Sequence, residues 1–255
     1  MNRRRLDLEL VERGLARSRS QARAMIGAGT VRVDGRTDRK AADLVEPDTA
    51  IEAEVDGYVS RAAHKLLGAL HDLELTVEGR ALDAGASTGG FTKVLLERGC
   101  REVVAVDVGT DQLAPLLRHD PRVLVREQTN LRDLDLEQVG GPVDLVVADV
   151  SFISLTLLIA PLTAVTTPAA TMLMMVKPQF EVGRTRLGKG GVVREPGLHR
   201  EAVVAVLTAA DEHGWSARGA VPSRLPGPAG NREFFVHLGR GPSEIPLDLD
   251  ALVQP

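Results

Sequence analysis

The chain has 255 residues, a formal net charge of −4 and a hydrophobic fraction of 44%. That length allows a sizeable core and one or two domains. No apolar run approaches the ~18 residues of a bilayer span, and the charged opening MNRRRLDLELVERG lacks the apolar stretch of a signal peptide. One cysteine, Cys100, excludes an intrachain disulfide and a cysteine-rich metal centre. These features predict a cytoplasmic protein with neither membrane attachment nor a metal site.

The charge is unevenly spread. Residues 1–40 carry eleven Lys/Arg against five Asp/Glu, a balance of +6, so the remainder sums to −10. Local fields, not averages, attract phosphates, so a basic module on an acidic body suits RNA. A solvated, charge-rich helix pair gives the same count.

From the N-terminus, Leu6, Leu10 and Val11 share one helical face before Gly14. A second helix follows, with Ser18 or Ser20 as cap, Ala22, Met25 and Ile26 as its buried stripe, and Gly27 and Gly29 as its exit. TVRVDGRTDR alternates around Asp34-Gly35 and reads as a hairpin. The leading Arg-Leu-Asp, the Ser-Arg-Ser-Gln-Ala and the closing Val-x-Val-Asp-Gly together resemble the S4-like RNA-binding domain. The resemblance implies a small α+β RNA-binding domain over residues 1–55, with contacts from Arg3, Arg5, Arg17, Arg19, Arg23 and Arg32.

Residues 56–59, DGYV, read as a linker, and a second domain is expected over residues 60–255. There the pattern alternates. Strands are predicted at 80–84, 102–107, 122–126, 143–149, 171–177, 216–221 and 233–238, with helices at 60–72, 90–98, 110–118 and 197–212. Such alternation argues for an α/β doubly wound sheet of seven strands, closed by an antiparallel hairpin.

The segment LDAGASTGGF, residues 82–91, connects the first of these strands to a helix. Ser87 stands where a dinucleotide fingerprint needs its second glycine, and no GK[ST] follows for a P-loop. Gly85-Ala-Ser87-Thr-Gly89 satisfies the G-x-S-x-G pattern of a hydrolase elbow, with His199, His213 and His237 as candidate partners. An S-adenosylmethionine (SAM) site fits as well. Asp83 would face the cationic amino-acid end, Gly85 and Gly89 would let the backbone approach, and Asp107, at the end of the next strand, would hold the ribose hydroxyls. A plain structural turn is the third reading.

Methyl transfer to a ribose hydroxyl needs an aligned oxygen and a base. A lysine serves as that base only where burial or a second cation disfavours its charged form. Lys65 precedes the sheet, Asp149 ends an apolar strand, Lys177 ends the next one before Pro178, and Glu233 opens the last. This set resembles the Lys-Asp-Lys-Glu tetrad of FtsJ-type ribose 2′-O-methyltransferases. With SRAAHKL, DAGASTGGFT, VAVDVG, DVSFISL, VKPQFEVG and KGGVVREP, the chain resembles the TlyA family from residue 3 to about residue 240. The resemblance implies a Rossmann-like methyltransferase sheet and SAM-dependent 2′-O-methylation of cytidine in 16S or 23S ribosomal RNA. It implies Lys177 as base, Lys65 as the second cation, and Asp149 and Glu233 as orienting acids. The cofactor would be held by Asp83, Gly85, Ser87, Gly89, Asp107 and Val108, with Glu127 and Asn130 near the adenine.

The loop from Gly183 to Gly191 brings Arg184, Arg186 and Lys189 close behind Lys177. It reads either as a mobile, phosphate-touching flap or as an ordinary surface loop. Only seven aromatic residues are present, so recognition is expected through phosphates and folded RNA shape. Two other functions stay open on the sequence. One is a ribosome-binding assembly factor without catalysis; the other is the membrane-active role suggested by the family's haemolysin label.

Overall fold

Secondary structure begins with β1 (Arg4–Arg5), α1 (Leu6–Glu12), α2 (Arg19–Gly27), β2 (Val31–Val33), β3 (Leu44–Val45) and β4 (Ile51–Ala53). The structure is a computed structural model that describes residues 3–16, 18–27, 29–37, 39–53, 58–243 and 245–254. Arg17, Asp56 and Gly57, singled out above, lie outside the described residues. The chain divides into two compact units, residues 1–57 and 58–255.

In the first unit the i, i+4 pairs Leu6/Leu10 and Ala22/Ile26 give α1 and α2 one apolar face each. These faces meet Val31, Val33 and Val45 in a small core. Ser18 Oγ accepts the Gln21 amide at 3.2 Å and starts α2, so Ser18 and not Ser20 is the cap. The expected hairpin forms only its turn. Val33 and Arg36 bridge around Asp34-Gly35, but β2 takes β4 as its antiparallel partner. The reason lies in the side chains: Thr37, Arg39 and Lys40 offer nothing apolar to the core, whereas Ile51 and Ala53 do.

The second unit starts earlier than expected. Tyr58 and Val59 pack against its core, and the Tyr58 ring meets His64 edge-on at 5.5 Å. Then come α3 (Ala62–Asp72), β5 (Arg80–Ala84), α4 (Gly90–Glu97), β6 (Glu102–Val106), α5 (Pro115–Arg118), β7 (Val123–Arg126), α6 (Leu136–Val139), β8 (Val143–Ala148), α7 (Ile159–Ala164), β9 (Thr166–Val176), α8 (Pro178–Glu181), α9 (Pro196–Asp211), β10 (Trp215–Pro222), β11 (Phe234–Arg240) and α10 (Leu249–Val253). Seven strands form one sheet in the order β10-β11-β9-β8-β5-β6-β7. Strands β5 to β9 run parallel, and β11 is antiparallel to both β9 and β10.

The sheet is buried on both faces, and the period of two sorts its side chains. Leu82, Val104, Val146, Met172 and Met174 face a core that includes Val203 and Val206 of α9. Ala81, Val103, Val147, Leu173 and Met175 face the opposite one, with Leu66 of α3 and Val94 of α4. One expected helix is mostly absent: of residues 110–118 only Pro115–Arg118 is helical. The amides of Asp111, Gln112 and Leu113 are held by the Glu127 carboxylate at 2.8–3.0 Å, which leaves that stretch an ordered loop.

Candidate active site

Parallel strands deliver their C-terminal ends to one edge of the sheet, where open α/β folds bind ligands. A cavity of about 220 Å³ opens there, lined among others by Ser60, Gly85, Ser87, Asp149, Ser151 and Lys177. Its wall is the turn between β5 and α4. Gly85 adopts φ +87° and passes so close to β8 that an added Cβ would lie 2.6 Å from the Asp149 carbonyl oxygen. Ser87 holds φ +47° without being glycine. Its amide donates to Asp107 Oδ2 at 2.9 Å, and Gly109 N donates to Oδ1 at 2.8 Å. Asp107 thus fastens the tips of β5 and β6 together and keeps lone pairs for further donors.

Asp83 is not among the residues lining the cavity; it lies fully buried beneath the turn. Thr92 Oγ1 donates to its Oδ2 at 2.6 Å, while Oδ1 has no partner. Burial pushes this carboxyl up to about 7, with the Asp149 and Asp107 charges adding and the Thr92 hydrogen bond opposing. Between the ordinary carboxylate range and 7, the folded chain keeps a proton that the unfolded chain releases. Stability is therefore full below that window, falls as pH rises through it, and levels off above. Asp83→Asn is expected to remove this decline, so that denaturation midpoints at pH 5 and pH 8 lie closer together than in the parent. A parent-like decline in the variant would assign it to another group.

The two lysines and two acids meet at the same edge as two ion pairs. Lys177 Nζ lies 2.5 Å from Asp149 Oδ1 and donates to Ser151 Oγ at 3.1 Å. Lys65 Nζ donates to Glu233 Oε2 at 2.5 Å, and this pair is buried, with side-chain exposures of 8% and 1%. The sheet register explains the convergence. Phe234 pairs with Val176 and Ala148 with Met174, so one step further Glu233 stands opposite Lys177 and Asp149 leaves the adjacent strand. Turn geometry contributes too: a Cβ on Gly227 would reach 2.5 Å from Glu233 Oε1. The hydrolase reading finds no support: none of His199, His213 and His237 lines the cavity that Ser87 lines, and His199 is buried with Nε2 on the Val193 carbonyl and its ring against Phe234.

The FtsJ-like methyltransferase family matches residues 58–240, and the S4 domain matches residues 4–51. The chain belongs to the TlyA family of FtsJ-like methyltransferases. A Mycobacterium tuberculosis relative named 16S/23S rRNA (cytidine-2′-O)-methyltransferase TlyA is 54% identical over 92% of this chain and 89% of its own length. Hemolysin A of Brachyspira hyodysenteriae is 35% identical over 92% of this chain and 99% of that protein. A solved Streptococcus thermophilus structure that carries a hemolysin name shares the fold with a TM-score of 0.77 at 36% identity, covering 99% of this chain and 95% of that one. Among the described residues no helix is long and apolar enough to cross a membrane.

Within this TlyA-family chain, the other expected site residues divide. Gly89 does not line the cavity; it carries φ +91° and backs onto Leu113 and Leu117. Val108 is 69% exposed beyond the β6 tip. Glu127, expected near an adenine, is engaged by Arg118 at 2.7 Å and by three amides, which hold its carboxyl down at about 2. Its contribution is to hold the loop whose Leu113 supports Gly89. Asn130 caps the 3-10 turn Leu131–Asp133 by accepting the Arg132 amide at 3.1 Å.

The glycine loop after Lys177, read either as a flap or as an ordinary surface loop, is fastened at two points. Arg186 forms a two-pronged pair with Glu201 at 2.6 Å and donates to the Val182 carbonyl. Asn231 donates to the Gly191 carbonyl and accepts the Val193 amide. Arg184 and Lys189 remain exposed on this loop. In the first unit Arg3 pairs with Glu46 at 2.5 Å, Arg5, Arg19 and Arg23 converge on Asp7, and Arg32 is exposed.

Several residues beside the catalytic candidates carry no signal of their own in the sequence. Ser151 holds Lys177, and Phe152, 91% exposed, leans on Phe180 at 5.2 Å. Half-buried Glu181 accepts from Ser154 Oγ and the Leu155 amide, so KPQFE clamps the DVSFISL loop along its length. The only hint is the adjacency of these motifs to Lys177 and Asp149.

Proposed function

We propose that the chain is a SAM-dependent ribose 2′-O-methyltransferase acting on cytidine in ribosomal RNA. The observation that carries this reading is the Lys177–Asp149 pair in the lining of a glycine-walled cavity, with the buried Lys65–Glu233 pair at the same edge of the sheet. The cavity suits SAM on its own geometry. Gly85 lines it with bare backbone in a left-handed turn, where a Cβ would strike the Asp149 carbonyl, and Asp107 keeps acceptor capacity toward hydroxyl donors. The buried Asp83 Oδ1 beneath the turn has no partner in the protein. Ser87 and Gly85 would hold the ligand in the cavity. Asp107 and Val108 would do so at the β6 tip, and Gly89, Glu127 and Asn130 would act by holding the surrounding backbone. When bound, SAM supplies a methyl group already activated on a sulfonium.

What this chain adds is placement and proton handling. As base, Lys177 must first release the proton it holds in its ion pair with Asp149, and the free amine then takes the proton of the attacking 2′-hydroxyl. Asp149 then faces the resulting ammonium at ion-pair distance, so the charge created by the transfer is met where it forms. Ser151 fixes the direction of Nζ. Lys65 and Glu233 form a buried pair that ties α3 to the start of β11. The exposed Phe152 ring offers an apolar face to a base.

The RNA assignment draws on the named activity of the Mycobacterium tuberculosis relative and on the S4 domain match. A ribosomal substrate places this work in the cytoplasm. Transfer of labelled methyl from SAM to 16S and 23S rRNA, as free RNA and as assembled subunits, followed by mapping of ribose methylation, tests the reading. A 2′-O-methylcytidine that depends on the protein is the expected result. SAM and RNA binding without transfer would favour the assembly-factor reading, and membrane lysis without transfer the haemolysin one.

A further inference from the structure

Asp7 is the most heavily engaged carboxylate of the first unit, and it is wholly buried. Arg5 grips it with two nitrogens, Nε to Oδ1 at 3.0 Å and Nη2 to Oδ2 at 3.1 Å. Arg19 Nη2 reaches Oδ2 at 3.2 Å, and Arg23 Nε reaches the same oxygen at 3.0 Å. The three arginines come from different places, one from β1 and two from successive turns of α2. Each keeps a substantially exposed side chain, at 39%, 50% and 55%. A guanidinium has five N–H donors, and Arg19 and Arg23 each engage Asp7 through one nitrogen. Three cations therefore share one inner anion, leaving a net local charge of +2 and outward donors to spare.

We infer that Asp7 is a positioning residue for RNA binding, holding Arg5, Arg19 and Arg23 as a preformed oxyanion site for an RNA phosphate. The physics is that of preorganisation. Three long side chains carry considerable rotamer entropy, and their like charges repel. The buried carboxylate orders the side chains and offsets the repulsion before the ligand arrives. The three guanidiniums hold that carboxyl far below the usual range, so Asp7 stays an anion at every pH at which RNA is folded. This inference rests on the proposed RNA substrate, and it predicts something the charge count does not. Deleting a negative charge from an RNA-binding surface should tighten binding, yet here it should weaken it.

The test uses the full-length protein and in vitro transcribed 16S and 23S rRNA, with affinity measured across a salt series. Asp7→Asn is expected to weaken binding about tenfold and to flatten the slope of log K against log salt by about one for each phosphate no longer engaged. Tighter binding with an unchanged or steeper slope would overturn the inference. A triple Arg→Lys variant at positions 5, 19 and 23 keeps every charge and keeps Asp7 paired, but lacks the planar fork. It provides the same readout if the asparagine chain does not keep a native circular-dichroism spectrum. Affinity lowered about tenfold supports preorganisation, and parent-like affinity sinks it. A triple Arg→Gln variant separates the two levels. If it binds like the parent, the RNA reading of this patch has failed; if it alone weakens binding, only the role of Asp7 has.

Discussion

Lys177→Ala is expected to lower methyl transfer to rRNA by about 10³-fold while leaving SAM affinity within about twofold of the parent. General-base contributions run from about 10² to 10⁴, and this side chain also carries the alignment made through Ser151 and Asp149. The cavity keeps its glycine wall, because Gly85 and Asp107 make no use of Lys177. Single-turnover transfer and equilibrium binding of SAM separate the two quantities. A variant with unchanged transfer would remove Lys177 as base. One that lost SAM affinity in proportion to transfer would make it a ligand-binding residue instead. Lys177→Arg sharpens the test: it keeps a cation facing Asp149 but cannot give up its proton, so it should be as inactive as alanine.

The second large effect concerns stability as much as chemistry. Lys65 and Glu233 are paired at 2.5 Å inside the second unit, with almost no solvent. Removing one partner of such a pair strands a buried charge and costs about 3–5 kcal/mol. Glu233→Leu and Lys65→Met are each expected to lose stability of that order in chemical denaturation. The double variant should recover most of it, because an apolar pair of similar volume needs no counter-charge. Transfer activity should not recover in the double variant. Restored activity along with restored stability would show the pair to be structural only. Single variants that lose less than about 1 kcal/mol would show that water reaches it.

The order of elements in the second unit is legible in the sequence because it rests on local patterns. Parallel strands are near-continuous apolar runs, and Arg80–Ala84 is predicted to the residue. Asp149 and Lys177 are legible for a related reason: an acid or a lysine at the exit of an apolar strand is chemically out of place unless something uses it, whereas Lys65 on α3 and Glu233 before β11 are marked only by the family resemblance. The pairing of the four is not legible. Nothing local says that Lys177 meets Asp149 and Lys65 meets Glu233, since both pairs depend on sheet register. The same limit explains Glu127, whose three amide partners lie in a loop that reads as helix by periodicity. It also explains β2, whose turn is local but whose partner β4 is not. Glu181 and Asn231 escape a sequence reading because a polar side chain that binds backbone has no sequence signature; its partners become visible only once the chain is folded.

Glu233 arrives on a strand that slots between β10 and β9, and its lysine partner lies 168 positions upstream. During synthesis, then, the growing polypeptide carries Lys65, Asp149 and Lys177 well before the final carboxylate emerges, and until that moment β9 presents an unfilled edge. The proposed catalytic set is completed only by the last-made of its four members. A prematurely terminated product ending before residue 233 would be inert and adhesive, a ready target for chaperones and proteases.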